Sequence, residues 1–219
     1  TAAIYGAFIP NPMHVYRTAG VLAGLGLSYG GATTEEDVVG LIFADQGIDL
    51  SKISGDIKIV SYLQGYGDTT TDEINAAIQA APEAFISVGM ATTFFTQQLN
   101  AAGIEFSDID SFTKSNGEAI TNGKLVYLAG KYSSSVGPAF ALVMNAINGN
   151  VIRDAQGNAV SLSQNYQVAT DSETFDKFYK NDNGDNPIYS RDTLDQIIGD
   201  TVTSVSYTHL RAHETRGNL

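Results

Sequence analysis

The sequence predicts an α/β fold, an open parallel sheet with helices on both faces, followed by a C-terminal hairpin and helical extension. Three observations predict it. Short, continuously apolar runs recur along the chain, the pattern of strands buried on both faces. Segments with apolar residues at helical spacing separate them, and strands alternating with helices imply a parallel sheet covered by helices. Turn and cap residues stand at almost every boundary. With 219 residues and 43% hydrophobic content, the chain has enough material for a real core.

Ala2–Ile9 (AAIYGAFI) is the first expected strand. Asn11-Pro12 then reads as a helix start, with Asn as N-cap and Pro at the first helical position, where its missing N–H costs nothing. Val15, Ala19 and Leu22 supply one face of that helix. Gly24, Gly26 and Gly30 spell G-x-G-x-x-x-G. A dinucleotide loop needs a strand before it and a helix after it, whereas these glycines follow a helix and enter a loop, so they read as a turn. Thr34 with Asp37 caps a helix through Phe43, Gly47–Gly55 is a polar connection, and Asp56–Leu63 (DIKIVSYL) is the next strand. Thr70 and Glu73 have capping-box spacing. Ile74, Ala77, Ile78 and Ala81 follow at i, i+3, i+4 and i+7, and Pro82 stops the helix.

Glu83–Gly149 shows the alternation most plainly. Ala84–Val88 is a strand ended by Gly89. Thr92–Ala102 is a helix with Phe95, Leu99 and Ala102 at helical spacing, closed by Gly103 before Ile104–Phe106 resumes in extended form. Ser115 and Glu118 have the spacing of a capping box for a short helix. Lys124–Ala129 (KLVYLA) is the next strand. Val136, Phe140, Val143 and Ile147 fall on one face of a helix, with Gly149 placed as its left-handed cap.

Beyond Gly149 the pattern changes. Val151–Leu162 reads as a hairpin around Asp154–Asn158, Tyr166–Ala169 as a strand, and Ser172 and Ser190 as caps of two small helices carrying Phe175 and Phe178, then Leu194, Ile197 and Ile198. Asn181–Asp185 resembles part of a calcium loop but lacks the alternating ligands and terminal glutamate, so a solvated turn is expected. The expected units are a lobe over 1–150, a crossover hairpin and extension over 151–203, and a non-native tail over 204–219. Within that tail, Val205–Leu219 resembles the read-through translation of a sequencing adapter and is set apart from the fold. It holds two of the three histidines, leaving His14 to the natural protein. Thr1 stands directly before an apolar strand, as at the start of a fragment.

Twenty-four acidic against twelve basic residues give a formal net charge of -12, which opposes binding to a nucleic-acid backbone. No cysteine is present, so disulfides, thiolate nucleophiles and cysteine-type zinc sites are excluded. No apolar run approaches the roughly 20 residues that cross a bilayer. His14 is the sole candidate catalytic base and there is no G-x-S-x-G elbow for it to serve. Glu105, Asp108 and Asp110 could supply paired carboxylates, but on a strand and loop solvated charge is the expectation. No P-loop is present, and no enzyme, cofactor or metal is expected.

An open parallel sheet offers a crevice at the carboxyl ends of its strands. Those ends present Asn11, His14, Gln64, Tyr66, Met90, Asp110, Phe112, Lys131 and Tyr132 as candidate ligand-binding residues. Rings beside amide, carboxylate and ammonium groups suit a small polar ligand such as a sugar, whose apolar face stacks while its hydroxyls accept and donate hydrogen bonds. Packing is the competing reading for Tyr66 and Phe112, and a solvated charge for Lys131.

Several phrases, in this order, carry a family resemblance: Arg17-Thr18-Ala19-Gly20, Pro82–Val88 (PEAFISV), Glu118–Leu125 (EAITNGKL) and Ser135–Gly149 (SVGPAFALVMNAING). Over roughly Ala2–Ala169 the chain resembles the C-terminal lobe of type I solute-binding proteins, the ribose- and galactose-binding class that serves ABC transporters. The resemblance implies one of two Rossmann-like lobes that close over a ligand by hinge motion, the other lobe being largely missing. It implies an extracytoplasmic protein, periplasmic or a cell-surface lipoprotein, that delivers a small polar ligand, carbohydrate or similar, to a membrane ABC permease. Val15, Val88-Gly89, Ser111 and Lys131 stand where sugar binders of the family usually place arginine, Asn-Asp, aspartate and glutamine. Two alternatives remain open: the effector domain of a LacI-type regulator, and an enzyme on a related α/β sheet.

Overall fold

The computed structural model describes residues 1–6, 8–64, 69, 71–132, 135–160, 165–183 and 187–198; for Asp110, Ser111 and Ile197 it describes the backbone only. Tyr66, the Thr70 cap and the expected tail over 204–219 lie outside the described residues.

Among the described residues the chain is α/β. Its main sheet has six strands in the order β4-β1-β5-β6-β7-β8: β1 (Ala2–Tyr5), β4 (Ile59–Leu63), β5 (Ala84–Ser87), β6 (Glu105–Ser111), β7 (Leu125–Lys131) and β8 (Gln167–Ala169). The first five are parallel, and β8 returns antiparallel along β7. A separate two-stranded pair joins β2 (Ser28–Tyr29) to β3 (Ile53–Ser54). The fold expectation therefore holds, as a Rossmann-like open sheet.

Two cores sandwich the sheet, and the pleat assigns residues to them. Ala3, Tyr5 and Phe85 point into one; Ala2, Ile4 and Ile86 point into the other. The first core is closed by α3 (Thr71–Gln79), α4 (Ala91–Ala102), α5 (Lys114–Thr121) and α7 (Ser172–Asn183), through Ile74, Phe95, Leu99, Ile120, Phe175 and Phe178. The second is closed by α1 (Pro12–Gly24) and α2 (Glu35–Asp45), through Val15, Ala19, Leu22, Val38 and Ile42. Leu125 and Leu128, three apart, both enter the first core. A bulge explains this: Phe106 pairs with Leu125 but Ser107 with Tyr127, so Val126 is an extra residue and the alternation restarts after it.

Local signals decide many of the boundaries. Asn11 caps α1 by accepting from the Met13 N–H at 3.1 Å, with Pro12 at the first position, and Thr34 caps α2 by accepting from Asp37 N–H. Gly103 and Gly149 end α4 and α6 (Val136–Ile147) with φ of 71° and 86°. Ser190 caps α8 (Arg191–Ile198) by accepting from Thr193 N–H. Gly24 ends α1, Gly26 lies in the turn between α1 and β2 with φ 69°, and Gly30 lies in the turn that follows β2 with φ 57°.

Other expectations are corrected. The first strand stops at Tyr5 rather than Ile9, because Gly6 lies under the Tyr62 ring, 2.5 Å from where a Cβ would stand, and the chain then turns toward α1. β4 begins at Ile59, and β6 runs on to Ser111. Thr113, not Ser115, caps α5 by accepting from Asn116 N–H; Asp171, not Ser172, caps α7 by accepting from Thr174 N–H at 2.7 Å. Asn181–Asn183 form the last turn of α7 rather than a solvated turn, and 184–186 lie outside the described residues. Among the described residues, the hairpin expected over Val151–Leu162 is one bridge, Arg153 to Ala159, around an Asp154 turn; 161–162 lie outside them. An apolar helical face ordinarily meets a core, but in α6 it is Pro138, Ala141 and Asn145 that are buried, while Val136, Phe140, Val143 and Ile147 stay open to solvent.

Candidate functional site

α1 and α4 leave neighbouring parallel strands toward opposite faces of the sheet. α1 follows β1 and packs in the second core; α4 follows β5 and packs in the first. Where consecutive connections diverge in this way the loops part and leave a crevice at the carboxyl end of the sheet. Its walls are Gly6 and Phe8–Asn11 on one side and Val88–Met90 on the other.

Arg17 spans the crevice. From α1 its Nη1 donates to the Val88 carbonyl at 2.8 Å, its Nη2 donates to the Tyr166 hydroxyl, and the guanidinium sits 5.5 Å from the Tyr166 ring centroid. Its Nε is buried without a hydrogen-bond partner. His14, one turn earlier on α1, is 5% exposed. Burial lowers its pKa first, and the Arg17 charge beside it lowers it further, so the ring is neutral around pH 7.

The far wall is held by a buried carboxylate. Asp108 on β6 is fully enclosed, and both oxygens are used. Oδ1 accepts from the Ser87 hydroxyl and the Ile109 N–H, each at 2.9 Å. Oδ2 accepts from the Thr92 N–H at 2.9 Å and the Thr92 hydroxyl at 3.0 Å. Ser87 Oγ in turn accepts from Gly89 N–H at 3.0 Å. This knot ties β5, β6 and the first turn of α4 around Met90, a non-glycine residue held left-handed at φ 67°. The expectation of a solvated charge at Asp108 is thus overturned: the oxygens are satisfied by four donors, which is what permits burial of the group.

Eight of the nine sequence-predicted residues fall into two groups. Asn11, His14, Gln64 and Met90 surround the ends of β4, β1 and β5. Asn11 spends its side-chain oxygen on the helix cap; Gln64 is exposed and lies over Gly47; Met90 is half-buried. Asp110, Phe112, Lys131 and Tyr132 belong to the ends of β6 and β7. Lys131 ends a strand three places from β1, about 14 Å away at ~4.8 Å per strand. The two groups adjoin at Met90 and Asp110, because β5 and β6 are neighbours in the sheet. Asp110 pairs with Gly130 in the sheet, and its side chain is outside the description. Tyr66 lies outside the described residues.

Phe112 and Tyr132 are packing residues in this structure. Only 2% and 8% of their surfaces are exposed, and α7 closes over them. The Phe112 ring lies 5.8 Å from Tyr132, 5.9 Å from Phe175 and 5.2 Å from Phe178, centroid to centroid. Gly130 makes the room, since a Cβ there would come within 2.5 Å of the Phe112 ring. Burial raises the Tyr132 pKa, and a hydrogen bond to the Asn181 side chain partly opposes this. Neither ring presents a face to the crevice.

Arg17 and Asp108 were the residues to add. Arg17 is visible in the sequence as the partner of His14 at i, i+3 on α1, and Asp108 lay among the acidic residues already considered. Phe8 and Met13, both exposed, flank the β1–α1 corner. Among the described residues no group of three or more His, Cys, Asp or Glu could hold a metal, and no helix is long and apolar enough to cross a membrane. Two recesses lie elsewhere: about 720 Å³ at the amino end of β4, lined by residues including Ile53, Lys58 and Ala80, and about 490 Å³ between α5 and α7. No protein-family model matches the chain, and no curated protein matches it.

Proposed function

We propose that this chain is a ligand-holding lobe of a solute-binding protein, taking a small polar ligand at the carboxyl end of its sheet between β1 and β5. One observation carries the reading: α1 and α4 diverge from adjacent parallel strands to opposite faces, and the resulting crevice holds a half-buried guanidinium with no carboxylate paired to it among the described ion pairs. Hydrogen-bond donors at such a crevice suit hydroxyl or carboxylate oxygens of a ligand. The half-buried Met90 adds an apolar contact surface, with neutral His14 buried behind it on α1. An extracytoplasmic setting and delivery to a membrane permease belong to the same proposal and rest on the family resemblance in the sequence.

A single lobe contributes contacts from one side only, so binding is expected to be weak, with Kd near the millimolar range, about 4 kcal/mol. The test is titration of the isotopically labelled chain with a panel of monosaccharides, sugar acids and amino acids, followed by amide shifts. Saturable shifts at residues 6–17 and 87–92 support the reading, and Arg17→Ala should weaken them about tenfold or more. Shifts confined to the α5–α7 recess, or chemical conversion of a panel member, would refute it.

A further inference from the structure

α6 exposes an apolar seam with coiled-coil spacing. Val136, Phe140, Val143 and Ile147 are separated by four, three and four residues, the d-a-d-a rhythm of a heptad. They are 70%, 58%, 57% and 70% exposed, and no other described helix leaves four large apolar side chains open along one line. The opposite face is the one that is buried: Pro138, Ala141 and Asn145 turn inward, and Leu194 of α8 comes within 3.2 Å of where a Cβ on Gly137 would stand. α6 belongs to neither core of the sheet, so its seam is free to meet a surface outside the molecule.

We infer that the seam is the contact between two copies of this chain, α6 against α6. Three features favour a second copy as the occupant. The a/d spacing, bordered by half-buried Leu142 and Met144, is the seam that one helix presents to a second helix with the same spacing. The flanking positions, Gly137, Ala139, Met144 and Ala146, carry no charge, and α6 as a whole has none. Two identical copies of a chain with net charge -12 repel wherever charged surfaces face each other, and an uncharged, self-complementary stripe avoids that repulsion under two-fold symmetry. Ala139 and Ala146, small and exposed beside the seam, let two helix axes approach to the usual ~8–10 Å. The open patch is in the few-hundred-Å² class, below the ~800 Å² per partner of a standard interface, so the dimer is expected to dissociate in the micromolar range.

The inference does not depend on the ligand reading, and oligomeric state tests it without any ligand. Sedimentation equilibrium of the whole chain between about 1 and 200 µM should show a monomer–dimer equilibrium. Phe140→Glu and Val143→Glu, both at exposed positions, should shift it at least tenfold toward monomer while circular dichroism and the thermal midpoint stay unchanged. Because the chain has no cysteine, Val143→Cys gives a clean second readout: mild oxidation should link it into a dimer, whereas Thr93→Cys, exposed on α4, should stay monomeric. A chain that remains monomeric over the whole range would show that a second copy does not cover the seam. A dimer indifferent to Phe140→Glu would place the contact elsewhere. Either result overturns the inference.

Discussion

Asp108→Asn tests the knot behind the crevice, and its cost follows from the geometry. The substitution keeps the shape of the side chain but turns one acceptor oxygen into an NH2 donor. Each oxygen of Asp108 faces a backbone N–H that cannot turn away, Ile109 on Oδ1 and Thr92 on Oδ2. Either orientation of the new amide therefore sets donor against donor and leaves a buried N–H unsatisfied, at about 1–3 kcal/mol. Loss of the charged acceptor weakens the bonds that remain, since those to ionised groups are worth ~1.5–3 kcal/mol against ~0.5–1.5 for neutral ones. Removing a buried charge relieves some desolvation in the opposite sense. The balance is a loss of about 2–3 kcal/mol, or roughly 5–10 °C in Tm for a chain of this size. Asp108→Ala, which orphans both N–H groups and opens a void, should cost about 3–5 kcal/mol. The assay is urea unfolding followed by circular dichroism, with Glu105→Gln, exposed on the same strand, as a control expected within ~0.5 kcal/mol of the parent. An Asp108→Asn variant equal to the parent in midpoint and slope would refute the burial argument.

Tyr29 is fully buried, donating to Asp45 at 2.7 Å and accepting from the Asp49 N–H, and burial is the main cause that raises its pKa to about 12. Its folded-state value lies above the unfolded 10.0, so its contribution is whole below pH 10 and is lost as pH rises toward 12; Tyr29→Phe should remove that alkaline loss and cost about 1–2 kcal/mol at neutral pH, as read by unfolding curves at several pH values. His14 has a folded pKa below its unfolded 6.5, so stability is full above pH 6.5 and falls as pH drops below it. His14→Gln should flatten the acid limb between pH 6.5 and about 5, a window above the range where carboxylates titrate, and an unchanged limb would assign the loss to other groups. Tyr132→Ala should destabilise the fold by about 3–5 kcal/mol by emptying the ring's place under α7, while Lys131→Ala, exposed beside it, should stay within ~0.5 kcal/mol. Equal stabilities for that pair in a denaturant titration would return Tyr132 to the list of ligand residues.

The chain order of the main-sheet strands and their helices, the fold class and most caps were legible in the sequence because each is set within a few residues; the β2–β3 pair and the short helix at Leu50–Lys52, within what reads as loop and polar connection, were not. Asn11-Pro12, Thr34 with Asp37, Gly103 and Ser190 act through bonds and dihedral angles that neighbours alone supply. The buried faces of α1 and α4 were legible for the same reason, since period decides which residues share a face. What shares a face does not say what the face will meet. Only tertiary structure decided that Phe112 and Tyr132 would be covered, because the covering helix, α7, begins at Ser172, far along the chain from both, and docks by ring packing with Phe175 and Phe178. The same holds for Asp108, whose burial depends on donors from Ser87 and Thr92 on two other elements, and for Lys131, whose strand the sheet order sets two places from β5, about 10 Å at ~4.8 Å per strand. For α6 the sequence determined the apolar stripe, and packing decided which way it would face: α8 took the side of Gly137, where the missing side chain lets Leu194 come close, Pro138 and Ala141 were buried, and the larger side chains of Val136, Phe140, Val143 and Ile147 were left outward.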